Sequence, residues 1–131
     1  MKTIPTALAL AALATTGALA ISANPAAARG GDAVSKSGSC SAGSVWKLKV
    51  KTDNAGLDVE AEVDSNVVGQ NWRWTILDNG VRAARGAATT TAPSGSFSVS
   101  RIIANAPGTD KVVFRATNPA TGETCRGSIT F

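Results

Sequence analysis

Apolar and charged residues alternate with a period of two over Val45-Trp46-Lys47-Leu48-Lys49-Val50-Lys51, and again over Leu57-Asp58-Val59-Glu60-Ala61-Glu62-Val63. That period puts successive side chains on opposite faces of a β-strand. With Asp53-Asn54-Ala55-Gly56 as the connecting loop, Lys51 faces Asp58, Lys49 faces Glu60 and Lys47 faces Glu62. On the other face the same register opposes Val50 to Val59, Leu48 to Ala61 and Trp46 to Val63. A slip of one residue breaks both sets, so the pattern specifies one antiparallel hairpin with a wet face and a greasy one.

The next strand, over 70–78, carries Trp72, Trp74 and Ile76 on one face and Arg73, Thr75 and Leu77 on the other. Asn79-Gly80 predicts a type I′ turn, because both central residues need positive φ. The chain then returns over 81–88. In an uninterrupted register Ile76 faces Ala83, Leu77 faces Arg82 and Trp74 faces Arg85. That last pair sets a charge on the core side. A bulge near Ala84, a sheet edge, or a cation–π contact with the indole would each resolve it.

After a loop at Thr89–Gly95, Phe97 and Val99 point inward and Ser96, Ser98 and Ser100 outward along 96–103. A turn at Asn105-Ala106-Pro107-Gly108 leads to a last hairpin, 111–118 with 123–131. It opposes Val112 to Ile129, Phe114 to Gly127 and Ala116 to Cys125, with the Phe114 ring expected over the glycine. Together with 45–52 and 57–64 this makes seven strands, and no helical period of useful length follows residue 28.

Seven short strands with a core tryptophan on the third resemble an immunoglobulin-like or fibronectin type III-like fold, which implies an all-β, two-sheet antiparallel sandwich. Val112-x-Phe114-x-Ala116-x-Asn118 followed by Gly122 is similar to the sixth strand and following turn of immunoglobulin domains. The tyrosine and cysteine of that pattern are replaced by Val112 and Phe114. Across nearly the whole domain the chain also resembles a group of small exported actinobacterial proteins. The likeness lies in Gly38-Ser39-Cys40-Ser41, Trp46-Lys47-Leu48-Lys49 and Ala92-Pro93-Ser94-Gly95-Ser96-Phe97. It continues through Ala104-Asn105-Ala106-Pro107-Gly108 and Thr121-Gly122-Glu123-Thr124-Cys125-Arg126-Gly127. It brings no activity, cofactor or catalytic residue with it.

Residues 1–28 read as a signal peptide: Lys2, an Ala/Leu-rich stretch from Ile4 to about Ala23, a break at Asn24-Pro25, then Ala26-Ala27-Ala28 before Arg29. A membrane anchor is the rival reading, disfavoured because the stretch is mostly Ala and Thr. The organisation expected is a signal at 1–28, a loose Gly/Ser-rich arm at 29–44 tethered by Cys40, and a sandwich at 45–131. The product expected from this organisation is secreted, extracellular or wall-associated, and monomeric. Cys40 and Cys125, the two cysteines, suit a disulfide in an oxidising compartment. A zinc site would need further soft ligands, and the chain has no histidine.

Catalysis at neutral pH usually needs a group that titrates there or a bound metal. The chain has neither His nor Tyr and no spare Cys, so no catalytic residue, cofactor or metal is assigned. Ser35-Lys36-Ser37 is a weak Ser/Lys dyad candidate, set in the loose arm. Asp58, Glu60, Glu62 and Asp64 could be taken for a calcium cluster, but lysines stand opposite three of them. The formal charge of +4 is too small to imply specific nucleic-acid binding.

One feature remains. If strands 70–78, 81–88, 111–118 and 123–131 share a sheet, as the immunoglobulin likeness implies, Arg73, Arg82, Arg115 and Arg126 share its outer face. They mix there with Thr75, Thr117, Thr124 and Ser128, and the only acids are the strand-end Asp78 and Glu123. Arg115 then opposes Arg126, a destabilising pair unless an anion joins it. The face would suit an anionic wall polymer or an acidic protein. Loops 65–70 and 89–95, with Val67 and Val68, offer a second reading as a protein-binding or inhibitor surface with no polyanion affinity.

Overall fold

The computed structural model describes residues 33–131, so the expected signal segment and the first residues of the arm lie outside the described part. Eight strands run in chain order: β1 (Ala33–Ser39), β2 (Val45–Asp53), β3 (Gly56–Asp64), β4 (Asn71–Asp78), β5 (Val81–Thr89), β6 (Ser96–Ala104), β7 (Lys111–Thr117) and β8 (Thr124–Thr130). They form two four-stranded antiparallel sheets, ordered β1-β2-β3-β6 and β5-β4-β7-β8. Among the described residues there is no helix.

The β2–β3 hairpin takes the register its charges specify, Lys51 opposite Asp58 and Trp46 opposite Val63. Its turn is tighter than the four-residue loop expected, because Asp53 pairs with Gly56 and Asn54 takes a positive φ of 52°. The core lies between the sheets and is filled by Leu48, Leu57, Trp72, Ile76, Phe114 and Ile129, all essentially inaccessible. Burying each such side chain contributes roughly 1.5–3 kcal/mol. Trp72 meets Phe97 across the sheets at 6.1 Å between ring centroids.

Eight strands replace the expected seven because Ala33–Ser39, read as part of a loose arm, pairs over its whole length with Val45–Lys51 of β2. Its composition hides this, since an edge strand needs little apolar surface: only Val34 and Gly38 are partly buried. Cys40, directly after it, is bonded to Cys125 in β8 with 4.4 Å between Cα atoms, so the disulfide ties one sheet to the other.

One glycine assignment changes. Gly127 makes room for Trp46 of the opposite sheet rather than for Phe114, because a Cβ there would lie 2.5 Å from Trp46 Cζ3. Gly38 crowds the same indole from its own sheet, at 2.7 Å from Cζ2. The cross-strand pair Phe114 and Gly127 is as expected, but the space belongs to a ring arriving from above.

The β4–β5 register also departs from the uninterrupted one. Ile76 pairs with Ala84 and Leu77 with Arg82, leaving Ala83 as the extra residue of a bulge. Trp74 then faces Gly86, and Arg85 faces Thr75 on the outer side. The charge on the core side is thereby removed. A guanidinium does lie over Trp74, at 5.0 Å from the ring centroid, but it is that of Arg101 on β6.

Candidate functional site

The strand β4 lies between β5 and β7, and β7 pairs with β8, so each outward position of β4 heads a row of residues crossing the sheet. The row through Thr75 reads Arg85, Thr75, Arg115, Arg126. Two residues along the strands in one direction lies the row Ala87, Arg73, Thr117, Thr124. In the other direction lies Arg82, Leu77, Val113, Ser128. The structure therefore brings Arg73, Arg82, Arg115 and Arg126 onto one face, as the sequence implied, and adds Arg85. All five are exposed.

Neither of the two nearby acids serves this face. Asp78 is the one acidic residue in these four strands, and it lies on the inward side, opposite Val112. There it meets Asp110, which is 1% exposed. Asp78 Oδ1 and Asp110 Oδ2 are both buried, and no other residue donates a hydrogen bond to either. Burial, then a hydrogen bond to Asp110 and its charge, push the Asp78 pKa from 3.8 up to about 6. A proton held between the two carboxyl groups satisfies both oxygens.

Glu123 is buried directly before β8. Its Oε2 accepts hydrogen bonds from the backbone N–H groups of Ala42 (3.0 Å) and Ser44 (2.9 Å), and its Oε1 accepts from Ser44 Oγ at 2.7 Å. Burial alone would raise its pKa, but these three donors outweigh it and hold the carboxyl below its ordinary value. The side chain is a clamp on the β1–β2 loop. Among the described residues the side chains of the five arginines make no ion pair or hydrogen bond.

The outer face of the other sheet contrasts with this one. Its rows read Ser35, Lys49, Glu60, Ser100 and Ser37, Lys47, Glu62, Ser98. These residues line an open concavity of about 670 Å³. Lys49 contacts Glu60 at 3.9 Å and Lys51 contacts Asp58 at 3.6 Å, while Asp58 also accepts a hydrogen bond from Ser100 Oγ. Lysines and carboxylates face one another here, and with Lys36 also at the lining the concavity holds three lysines and two glutamates, close to charge balance. Among the described residues no three acidic, Cys or His side chains converge to hold a cation. The Ser35-Lys36-Ser37 candidate sits in β1, where strand alternation sends Lys36 to the face opposite both serines.

Loops 65–70 and 89–95 are fastened to each other. Ser65 N–H donates to the Gly95 carbonyl, Gly69 N–H to the Thr90 carbonyl, and Thr90 N–H to the Gln70 carbonyl. The buried Thr90 hydroxyl donates to the Val67 carbonyl and accepts from Gln70 N–H. Val67 and Val68 are left 50% and 55% exposed at this end of the sandwich.

Arg85 is the member of the face that sequence reading missed. The signal was present as a charge on the core side, opposite Trp74, which a bulge before Arg85 removes. Comparison with protein families, curated proteins and solved structures returned no match to this chain.

Proposed function

We propose that this chain is an exported, non-enzymatic binding domain of immunoglobulin-like or fibronectin type III-like architecture that docks an anionic polymer or acidic protein through its arginine face. The architecture rests on the strand order. With β1 set aside, β2-β3-β6 and β5-β4-β7-β8 correspond to the three- and four-stranded sheets of a fibronectin type III-like sandwich. A disulfide between the sheets accords with an oxidising destination.

The observation that carries the functional reading is the opposition of Arg115 and Arg126 with no acid on their face. Like charges directly opposed across strands cost stability, and a partner supplying anions offsets that cost. Chromatography on heparin or an immobilised phosphate polymer tests it. Wild type should be retained and released by salt, and the R115A/R126A double variant should elute earlier. Equal, salt-insensitive elution of the two proteins removes the proposal.

The second reading, a loop-mediated protein or inhibitor contact, is favoured by the exposure of Val67 and Val68 on loops rigidly tied together. It expects a partner captured by wild type and lost on replacing residues 65–70, with the arginine variants unaffected.

A further inference from the structure

We infer that the occupant of the arginine face is a linear phosphodiester polymer with small hydroxylated linkers, lying across the strands along the row of Arg85, Thr75, Arg115 and Arg126. This inference rests on the anion-docking reading above and adds the chemistry and direction of the ligand.

The direction follows from the register. Three of the five arginines stand in one row, whereas Arg73 and Arg82 are each the lone cation of a neighbouring row. Adjacent strands lie about 4.8 Å apart, so the row spans about 14 Å from β5 to β8. Both are edge strands of the sheet, so a chain longer than the row can run on past either end. An internal stretch of polymer fits this shape better than a chain end, which would need a closed pocket.

The chemistry follows from the side chains. Arg115 and Arg126 are directly opposed, so their guanidinium groups reach one anion from two directions. A phosphodiester sets its two non-bridging oxygens around a tetrahedral centre, open to donors from several directions, while a carboxylate accepts best within the plane of its two oxygens. Between and beside the arginines stand the hydroxyls of Thr75, Thr117, Thr124 and Ser128, which suit hydroxylated linkers. The sheet's tryptophans, Trp72 and Trp74, are buried in the core, so the face has no aromatic platform on which nucleobases could stack.

The test is a titration at fixed ionic strength with poly(glycerol phosphate) of graded length. Polyglutamate and a single-stranded oligonucleotide of equal charge serve as competitors. Affinity should rise steeply with length until the polymer covers the row, then only slowly. R85A and R126A, at the two ends of the row, should each weaken binding about threefold to fivefold and lower the salt slope by about 0.7. R82A should lose distinctly less, and K36A on the other sheet should bind as wild type. If R82A equals R85A, the assigned direction is wrong. If polyglutamate or the oligonucleotide binds at least as tightly as the phosphate polymer, the assigned chemistry is wrong while anion docking stands. If none of the polyanions binds, the docking reading fails as well.

Discussion

Trp74 packs its indole against Gly86, the residue directly opposite on β5, so closely that a Cβ on Gly86 would lie 2.6 Å from Trp74 Cζ2. This contact and the composition of the arginine face have one cause. The bulge at Ala83 shifts β5 by one residue, which brings Gly86 beneath the ring and turns Arg85 outward. Without it Arg85 would stand over the core and the cross-strand row would lose one of its ends.

Gly86→Ala therefore overpacks the ring. A loss of about 1–3 kcal/mol is expected, read as a lower midpoint in chemical denaturation. Gly127→Ala should behave alike through Trp46, and a smaller side chain at residue 46 should recover part of the loss.

Replacing both cysteines by alanine should cost about 4–5 kcal/mol in the chain-entropy model, because the bond closes a loop of 85 residues. Denaturation of the double variant against oxidised wild type measures it. A difference under 1 kcal/mol would mean that the loop 40–44 is held by other contacts.

Glu123→Gln should cost about 1–3 kcal/mol at neutral pH, since a buried acceptor of three hydrogen bonds is impaired. The Glu123 pKa is lower folded than unfolded. Its contribution is therefore complete above the ordinary value of 4.5 and lost as pH falls through the folded value. Melting curves below pH 4.5 should show wild type converging on the variant.

Asp78 works in the opposite sense. Its folded pKa, about 6, lies above the ordinary 3.8, so the folded state holds the proton more tightly. The associated stability is complete below pH 3.8 and is lost as pH rises through 6. Asp78→Asn should stabilise the protein at pH 7 by about 1 kcal/mol and remove this slope. An unchanged slope between pH 4 and 7 in the variant would place the titration elsewhere.

Much of this was readable from residue order. The Lys and Glu columns of β2 and β3, the Asn79-Gly80 turn and the β7–β8 pairing with Arg115 opposite Arg126 are all in their expected registers. Each is a local pattern in which neighbours along the chain become neighbours in space. The strand β1 was not readable, because Ser and Gly at an edge leave no apolar period. The Ala83 bulge was visible only as a misplaced charge, with three remedies open.

Alternation along β2, β3, β4, β7 and β8 thus determined which side chains face inward and which outward, because a period of two admits no other assignment within an unbroken strand; on β5 the bulge at Ala83 broke it. Contacts between distant segments decided the rest: Trp46 over Gly127, Arg101 over Trp74, Glu123 beneath the β1–β2 loop, and Asp78 turned towards Asp110. Those pairings depend on how two sheets stack and where one strand slips by a residue. Close packing sets both, and it becomes defined only when all the strands are present together.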